Sequence, residues 1–208
     1  MEGQYTQQTQ SPLQKRIVCA AAELFAEKGI RDVTMDDVSH RLHISKRTLY
    51  QVIRDKEELV LLCYRADVEA QEESIRQGIA DNDDVMSIIL KQVDHRLAQM
   101  DRLTMASLAD FAKYPRLVEA VHKRHRDTEE FVLQFIETGV QQGLLSADVD
   151  YRLLLRTMRH MAGNPADRDD LQGYSPREVF MTMFFTILRG CATDRGRQRL
   201  DTFRPSSR

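Results

Sequence analysis

Ser45, Lys46, Arg47 and Thr48 stand in succession between Ile44 and Leu49, with Tyr50 and Lys56 close behind. Two hydroxyls, an ammonium and a guanidinium in one run are hydrogen-bond donors suited to phosphate oxygens and to the acceptor edges of bases; Arg and Lys in particular can bond O6 and N7 of guanine. Between residues 41 and 56, Arg41, Lys46, Arg47, Arg54 and Lys56 meet only Asp55, a local charge of +4. The whole chain, with 30 basic and 32 acidic residues, carries −2. Binding to a polyanion therefore has to rest on local charge, because bulk composition offers none. Two other readings of the same run remain: a solvated helix start, or a basic patch that binds an acidic protein partner.

Elsewhere the chemistry-bearing residues are sparser. His122, His125 and Glu129 share one helical face at a spacing that could hold a divalent metal, but they lie in and beside "HKRHR", a basic run that repels cations. A solvated face is expected there, with no metal and no cofactor. His95 and His160 read as packing or surface groups. Cys19, Cys63 and Cys191 are far apart and in apolar contexts, so they read as reduced packing residues. No Ser-His-Asp order, glycine-rich phosphate loop or paired-carboxylate setting stands out, and no enzyme is expected; an enzyme on the C-terminal helices would have to scatter its site. No apolar stretch approaches the roughly 18 residues that span a bilayer, and "MEGQYTQQTQSP" lacks the features of a signal peptide, so a cytoplasmic protein without membrane attachment is expected.

The elements that must position the cluster are helices. Leu13, Ile17, Ala21, Leu24 and Phe25 recur at helical spacing before Gly29. Thr34 with Asp37 signals a capped second helix carrying Met35, Val38 and Leu42 inward. Ser45 is the next N-cap candidate, with Leu49 and Val52 or Ile53 facing in, and Asp55 with Glu58 opens a long fourth helix to about Gln77. Two helices meeting through Leu42, His43 and Ile44 fit a helix-turn-helix, whose second helix presents its first turn to the major groove. Beyond it, "DDVMSIILKQVDHRLAQM", a segment ending at Pro115, a long segment from Leu117 to Gln142 closed by Gly143, "YRLLLRTMRHMAG" capped by Asp148 or Asp150, and "REVFMTMFFTILRGCA" opened by Ser175 all read as helical. The 42% hydrophobic content can fill a core. The expected fold is all-α: residues 1–11 a disordered N-terminal tail, 12–58 the helix-turn-helix unit, 59–195 a helical effector-binding and dimerisation domain, and 196–208 an irregular C-terminal tail.

The stretch "IVCAAAELFAEKGIRDVTMDDVSHRLHISKRTLYQVIRDKEEL", 43 residues from Ile17 to Leu59, resembles the DNA-binding part of the TetR (tetracycline-repressor-like) transcriptional regulators. The shared features are an Ala-rich first helix ending in Leu-Phe and Lys-Gly, a Thr opening the second helix, then Ile-Ser-Lys-x-Thr-Leu-Tyr and Lys-Glu-x-Leu. The resemblance implies a homodimeric regulator, here a repressor, whose N-terminal units bind a palindromic double-stranded DNA operator and whose C-terminal domain binds a releasing small molecule. It carries DNA contact to Thr34, Ser45, Lys46, Arg47, Thr48, Tyr50 and Lys56: Lys46 and Arg47 for base edges, Tyr50 and Lys56 for phosphates. The sequence departs from the family where Gly is usual in the turn. His43 stands there, at a position needing φ > 0, which costs a non-glycine residue about 1 kcal/mol; it either serves the turn alone or also reaches a phosphate. Val52 and Ile53 replace the usual His-Phe pair.

The apolar stripes of the C-terminal part have competing uses. Leu154, Met158 and Met161 form one, and Phe180, Met183, Phe184, Ile187, Leu188 and Cys191 another. By the resemblance these two helices form a four-helix dimer interface, while monomer core is the alternative. An apolar or amphipathic effector would be walled by the middle helices, with Met86, Ile89, Val93, Leu97, Met100, Leu108, Phe111, Phe131 and Phe135 as candidates; the same residues are also what an ordinary core contains.

Overall fold

The computed structural model describes residues 11–101, 110, 113–161, 171 and 173–205, and every regular element among them is a helix. In order these are α1 Pro12–Lys28, α2 Met35–Arg41, α3 Lys46–Val52, α4 Lys56–Ala80, α5 Val85–Met100, α6 Pro115–Asp127, α7 Glu129–Gln141, α8 Tyr151–Met161, α9 Pro176–Cys191 and α10 Asp194–Thr202. The chain divides into two compact units, Met1–Ala66 and Asp67–Arg208.

In the N-terminal unit α1, α2 and α3 pack on one another. Ile17, Leu24, Val33, Val38, Leu49 and Ile53 are all but fully buried between them, each such side chain contributing about 1.5–3 kcal/mol. Ile53, not Val52, takes the inward position. The unit ends at Ala66 rather than at the expected residue 58 because the opening turns of α4 belong to it. Leu59 and Val60 are buried, and the Cys63 thiol lies 3.5 Å from the Val18 carbonyl, burial pushing its pKa up to about 12.

In the C-terminal unit α5 packs against α7, α9 and α10. Val85, Met86, Leu144, Leu145, Leu188, Ala192 and Leu200 form its core cluster. The α7 terminus closes as expected: Gly143 at φ 67 donates to Val140 O, and Leu144 donates to Gly139 O, each at 2.9 Å. The segment expected to run unbroken from Leu117 to Gln142 is two helices that meet at Thr128. There the hydroxyl bonds back to Arg124 O at 2.8 Å, a competition with the helical ladder that bends helices. Asp150, not Asp148, caps α8 by accepting from Leu153 N at 2.9 Å.

The expected irregular tail from residue 196 is corrected by α10. Thr193 caps this helix by accepting from Gly196 N, and its own hydroxyl donates to Gly143 O at 2.7 Å. Only Gly196 and Leu200 are buried on it, four residues apart, which leaves too little apolar periodicity to read from sequence. A Cβ on Gly196 would lie 2.1 Å from Leu144 O, so the close approach itself demands glycine.

Candidate nucleic-acid interface

The turn between α2 and α3 is built on His43. Its φ is 53°, as the missing glycine requires; His43 N donates to His40 O at 3.1 Å and Ile44 N to Ser39 O at 3.0 Å, the paired bonds of a Schellman cap. The expectation of a left-handed histidine is met, and its ring is exposed. Thr34 closes a reciprocal capping box with Asp37: Asp37 N donates to Thr34 Oγ1 at 3.2 Å, and Thr34 N donates to Asp37 Oδ2 at 2.7 Å. These bonds, led by the Thr34 hydroxyl, hold the Asp37 carboxyl below its ordinary pKa.

Ser45 caps α3 by accepting from Thr48 N at 3.0 Å, and its hydroxyl also pairs with that of Thr48 at 2.8 Å. Both hydroxyls are therefore partly committed to the helix start they stabilise. Leu49 anchors the helix, fully buried, so that Lys46, Arg47 and Tyr50 stand exposed, Tyr50 at 49%. The first turn of α3 thus presents a cation pair and a phenol to solvent.

Two of the cations behind the local charge of +4 meet acids that lie outside that window, Lys46 and Arg41, while Arg54 meets Asp55 within it. Lys46 Nζ meets Asp36 Oδ2 at 2.5 Å, and this bond raises the lysine pKa. Arg41 bonds Glu27 at 2.8 Å and Glu23 at 3.4 Å, and Arg54 bonds Asp55 at 3.0 Å. Lys56 donates to Arg31 O at 3.0 Å, which ties the start of α4 to the loop after α1. Arg47 has no side-chain partner among the described residues. No period or spacing points from Lys46 back to Asp36, ten residues earlier on another helix, which is why sequence reading missed it.

The other expected residues are dispersed. Leu188 and Cys191 are buried in the chain's own core, which corrects their assignment to an interface; α9 turns that edge toward α5. Leu154, Met158, Phe180, Phe184 and Ile187 are partly buried, and Met183 is 38% exposed. The Met161 side chain, Leu108 and Phe111 lie outside the described residues. Of the expected effector wall, Met86 sits within the core cluster with Ile89 and Phe135 packed against it, Val93 and Leu97 are buried, Met100 is partly buried, and Phe131 is 48% exposed. Two concavities are described. One of about 350 Å³ is lined by Ser87, Leu90, Lys91, Asp94, Arg199 and Phe203, and one of about 320 Å³ by Leu133, Ile136, Val140 and Tyr151. Neither is lined by a residue of that wall. Glu129, the third member of the His122–His125 spacing, gives its oxygens to Arg152, Arg156 and Arg159. No described helix is long and apolar enough to cross a membrane.

A capped helix pair joined by a tight turn, with donors exposed on the second helix, defines a helix-turn-helix DNA-binding protein. Residues 17–63 match the family described as bacterial regulatory proteins, tetR family. The regulator UidR of Escherichia coli K12 is 26% identical over 149 residues, 71% of this chain and 76% of that protein. Among solved structures, a TetR-family regulator of Agrobacterium tumefaciens shares the fold with a TM-score of 0.59 at 17% identity, over 86% of this chain and 97% of that one. A transcriptional regulator of Saccharomonospora viridis, solved with choline, gives 0.60 at 19%, over 93% and 96%. Residues 17–63 thus carry a DNA-binding domain of the TetR family, and the chain as a whole is similar to transcriptional regulators of that family.

Proposed function

We propose that this regulator is a repressor that binds a palindromic operator as a homodimer and leaves it when a small amphipathic molecule occupies the C-terminal unit. The observation that carries the DNA reading is the first turn of α3, where buried Leu49 fixes the helix and Lys46, Arg47 and Tyr50 are left exposed. Arg47 reads a base edge, with Lys46 beside it once DNA displaces Asp36. Tyr50 grips the backbone, together with the capped helix starts at Thr34 and Ser45 and the hydroxyl of Thr48. Lys56 positions the start of α4 through Arg31 O and adds charge toward the phosphates. His43 lies in the turn that faces the backbone in this mode of docking.

The dimer would form through the apolar residues that the chain's own core leaves over: Leu154, Met158, Phe180, Met183, Phe184 and Ile187. Two α3 helices would then enter successive major grooves about 34–36 Å apart. An effector with different affinity for the two dimer spacings shifts the population, typically by 1–3 kcal/mol of coupling. α4 is the natural carrier, since its opening turns belong to the N-terminal unit and its remainder to the other. The choline complex of the S. viridis regulator supports small-molecule occupancy in this fold.

The test is selection of duplexes from a random library by the purified protein. Enrichment of an inverted repeat with half-sites about one helical turn apart is the expected result. Enrichment of no sequence would defeat the reading.

A further inference from the structure

Among the described residues, guanidiniums gather in one region of the C-terminal unit. From α8, Arg152, Arg156 and Arg159, spaced to share a face, converge on Glu129 of α7, whose side chain is only 11% exposed; Arg152 also bonds Glu130 at 2.8 Å. From α6, Arg124 reaches Gln71 Oε1 at 3.3 and 3.4 Å and Glu72 at 3.5 Å. Both are long contacts, and Arg124 Nε is buried with no acceptor. Arg96 of α5 is partly buried and has no side-chain partner among the described residues. His125, an exposed residue, stands among these groups: partial desolvation first, then the charges of Arg159, Arg124, His122 and Arg96, lower its pKa and favour the neutral ring. Among the described residues, the ion pairs of Arg124, Arg152, Arg156 and Arg159 draw on three carboxylates, Glu72, Glu129 and Glu130, and Arg96 adds its charge near His125.

Partly buried cations without matching anions are costly, and so is a buried donor without an acceptor. A planar carboxylate from outside would relieve both, because it accepts paired bonds from guanidinium forks. Arg96 lies one turn from both Val93 and Met100, so an apolar face continues from the cationic end along α5.

We propose that Arg96, Arg124 and Arg159, with His125 beside them, hold the anionic group of the effector, which is a small organic carboxylate with an apolar body. The inference rests on the effector reading above and names its chemistry. Glu129 orients Arg159 and is not itself displaced, since Arg152 and Arg156 retain it.

The test uses the full chain and two fluorescent probes of one skeleton, 8-anilinonaphthalene-1-sulfonate and its uncharged counterpart N-phenyl-1-naphthylamine, with benzoate, phenylacetate and decanoate as competitors. Wild type should bind the sulfonate saturably, and carboxylates should displace it. Arg96→Gln and Arg124→Gln should each weaken sulfonate binding about tenfold, the loss expected for one charge-assisted bond. Neither variant should alter binding of the neutral probe, and Arg96→Gln, which removes a cation without a side-chain partner among the described residues, should not lower the melting temperature. Equal sulfonate affinity in wild type and Arg96→Gln, or no saturable binding by wild type, overturns the proposal. Release from a library-selected duplex separates the two readings. Release by neutral compounds but not by carboxylates keeps the effector reading and removes this one; carboxylate binding lost in the Arg variants, without release, keeps the anion site and removes the effector reading.

Discussion

At the residue scale, the recognition turn combines a strained residue with a neutralised one. His43 occupies the left-handed region where glycine is at no disadvantage. His43→Gly should therefore keep the fold and hold stability within about 1 kcal/mol of wild type or above it, whereas His43→Val should lose more than that, as read by urea denaturation. Asp36 acts differently. By pairing with Lys46 it places a negative charge beside the surface proposed to meet phosphates. Both side chains are well exposed, so the pair itself is worth little, but the carboxylate repels DNA of any sequence. Asp36→Asn should strengthen binding to random duplex several-fold and steepen its salt dependence by roughly one counterion. Unchanged random-duplex affinity in fluorescence anisotropy would remove that role from Asp36. Arg47→Ala should flatten preference among duplexes, whereas Tyr50→Phe should weaken all of them alike.

At the element scale, caps decide where helices begin, and two of them make stability depend on pH. Asp37 and Glu178 close capping boxes with Thr34 and Ser175, and Glu129 binds Arg159 and Arg156. These bonds hold the three carboxyls below their ordinary values, 3.8 for Asp37 and 4.5 for the glutamates. A lowered folded-state pKa contributes stability above the ordinary value, and that stability is lost as pH falls through the folded-state value. His125 is shifted in the same sense from 6.5, so its share begins to fall below that pH. The urea midpoint should accordingly decline from about pH 6 downward and most steeply below about pH 4, with a shallower acid limb in Thr34→Val. The last element depends on contact more than on charge: Gly196→Ala would drive a Cβ into the Leu144 carbonyl. Several kcal/mol of stability should go with it, visible as a lowered denaturation midpoint, while Gly190→Ala on α9, which meets open space, should be nearly neutral.

At the scale of the whole molecule, the question is which apolar residues are spent inside the chain and which remain for the proposed second copy. Leu188 is spent: Leu188→Ala should cost about 2–5 kcal/mol and lower stability at any concentration. Met183 is left over, and Met183→Glu should leave the monomer folded but shift the protein from dimer to monomer in light scattering at micromolar concentration. A wild-type monomer at that concentration would count against the α8–α9 interface.

The helix-turn-helix was legible in the sequence because it is local. Caps, turn residues and inward positions lie three or four residues apart, and Thr34–Asp37, Ser45–Thr48 and the left-handed His43 all act within that span. The sequence alone also determined an all-helical chain with donors at the start of α3. It did not determine which charges would be free, because the partners of Lys46 and Arg41 come from other helices, at separations no period encodes. The fate of Leu188, Met86 and Leu200 was likewise decided in three dimensions: an apolar side chain carries the same signal whether it faces its own core, a ligand or a symmetry mate. Only tertiary packing, through the surfaces that α5, α7, α9 and α10 bury against each other, chose among them.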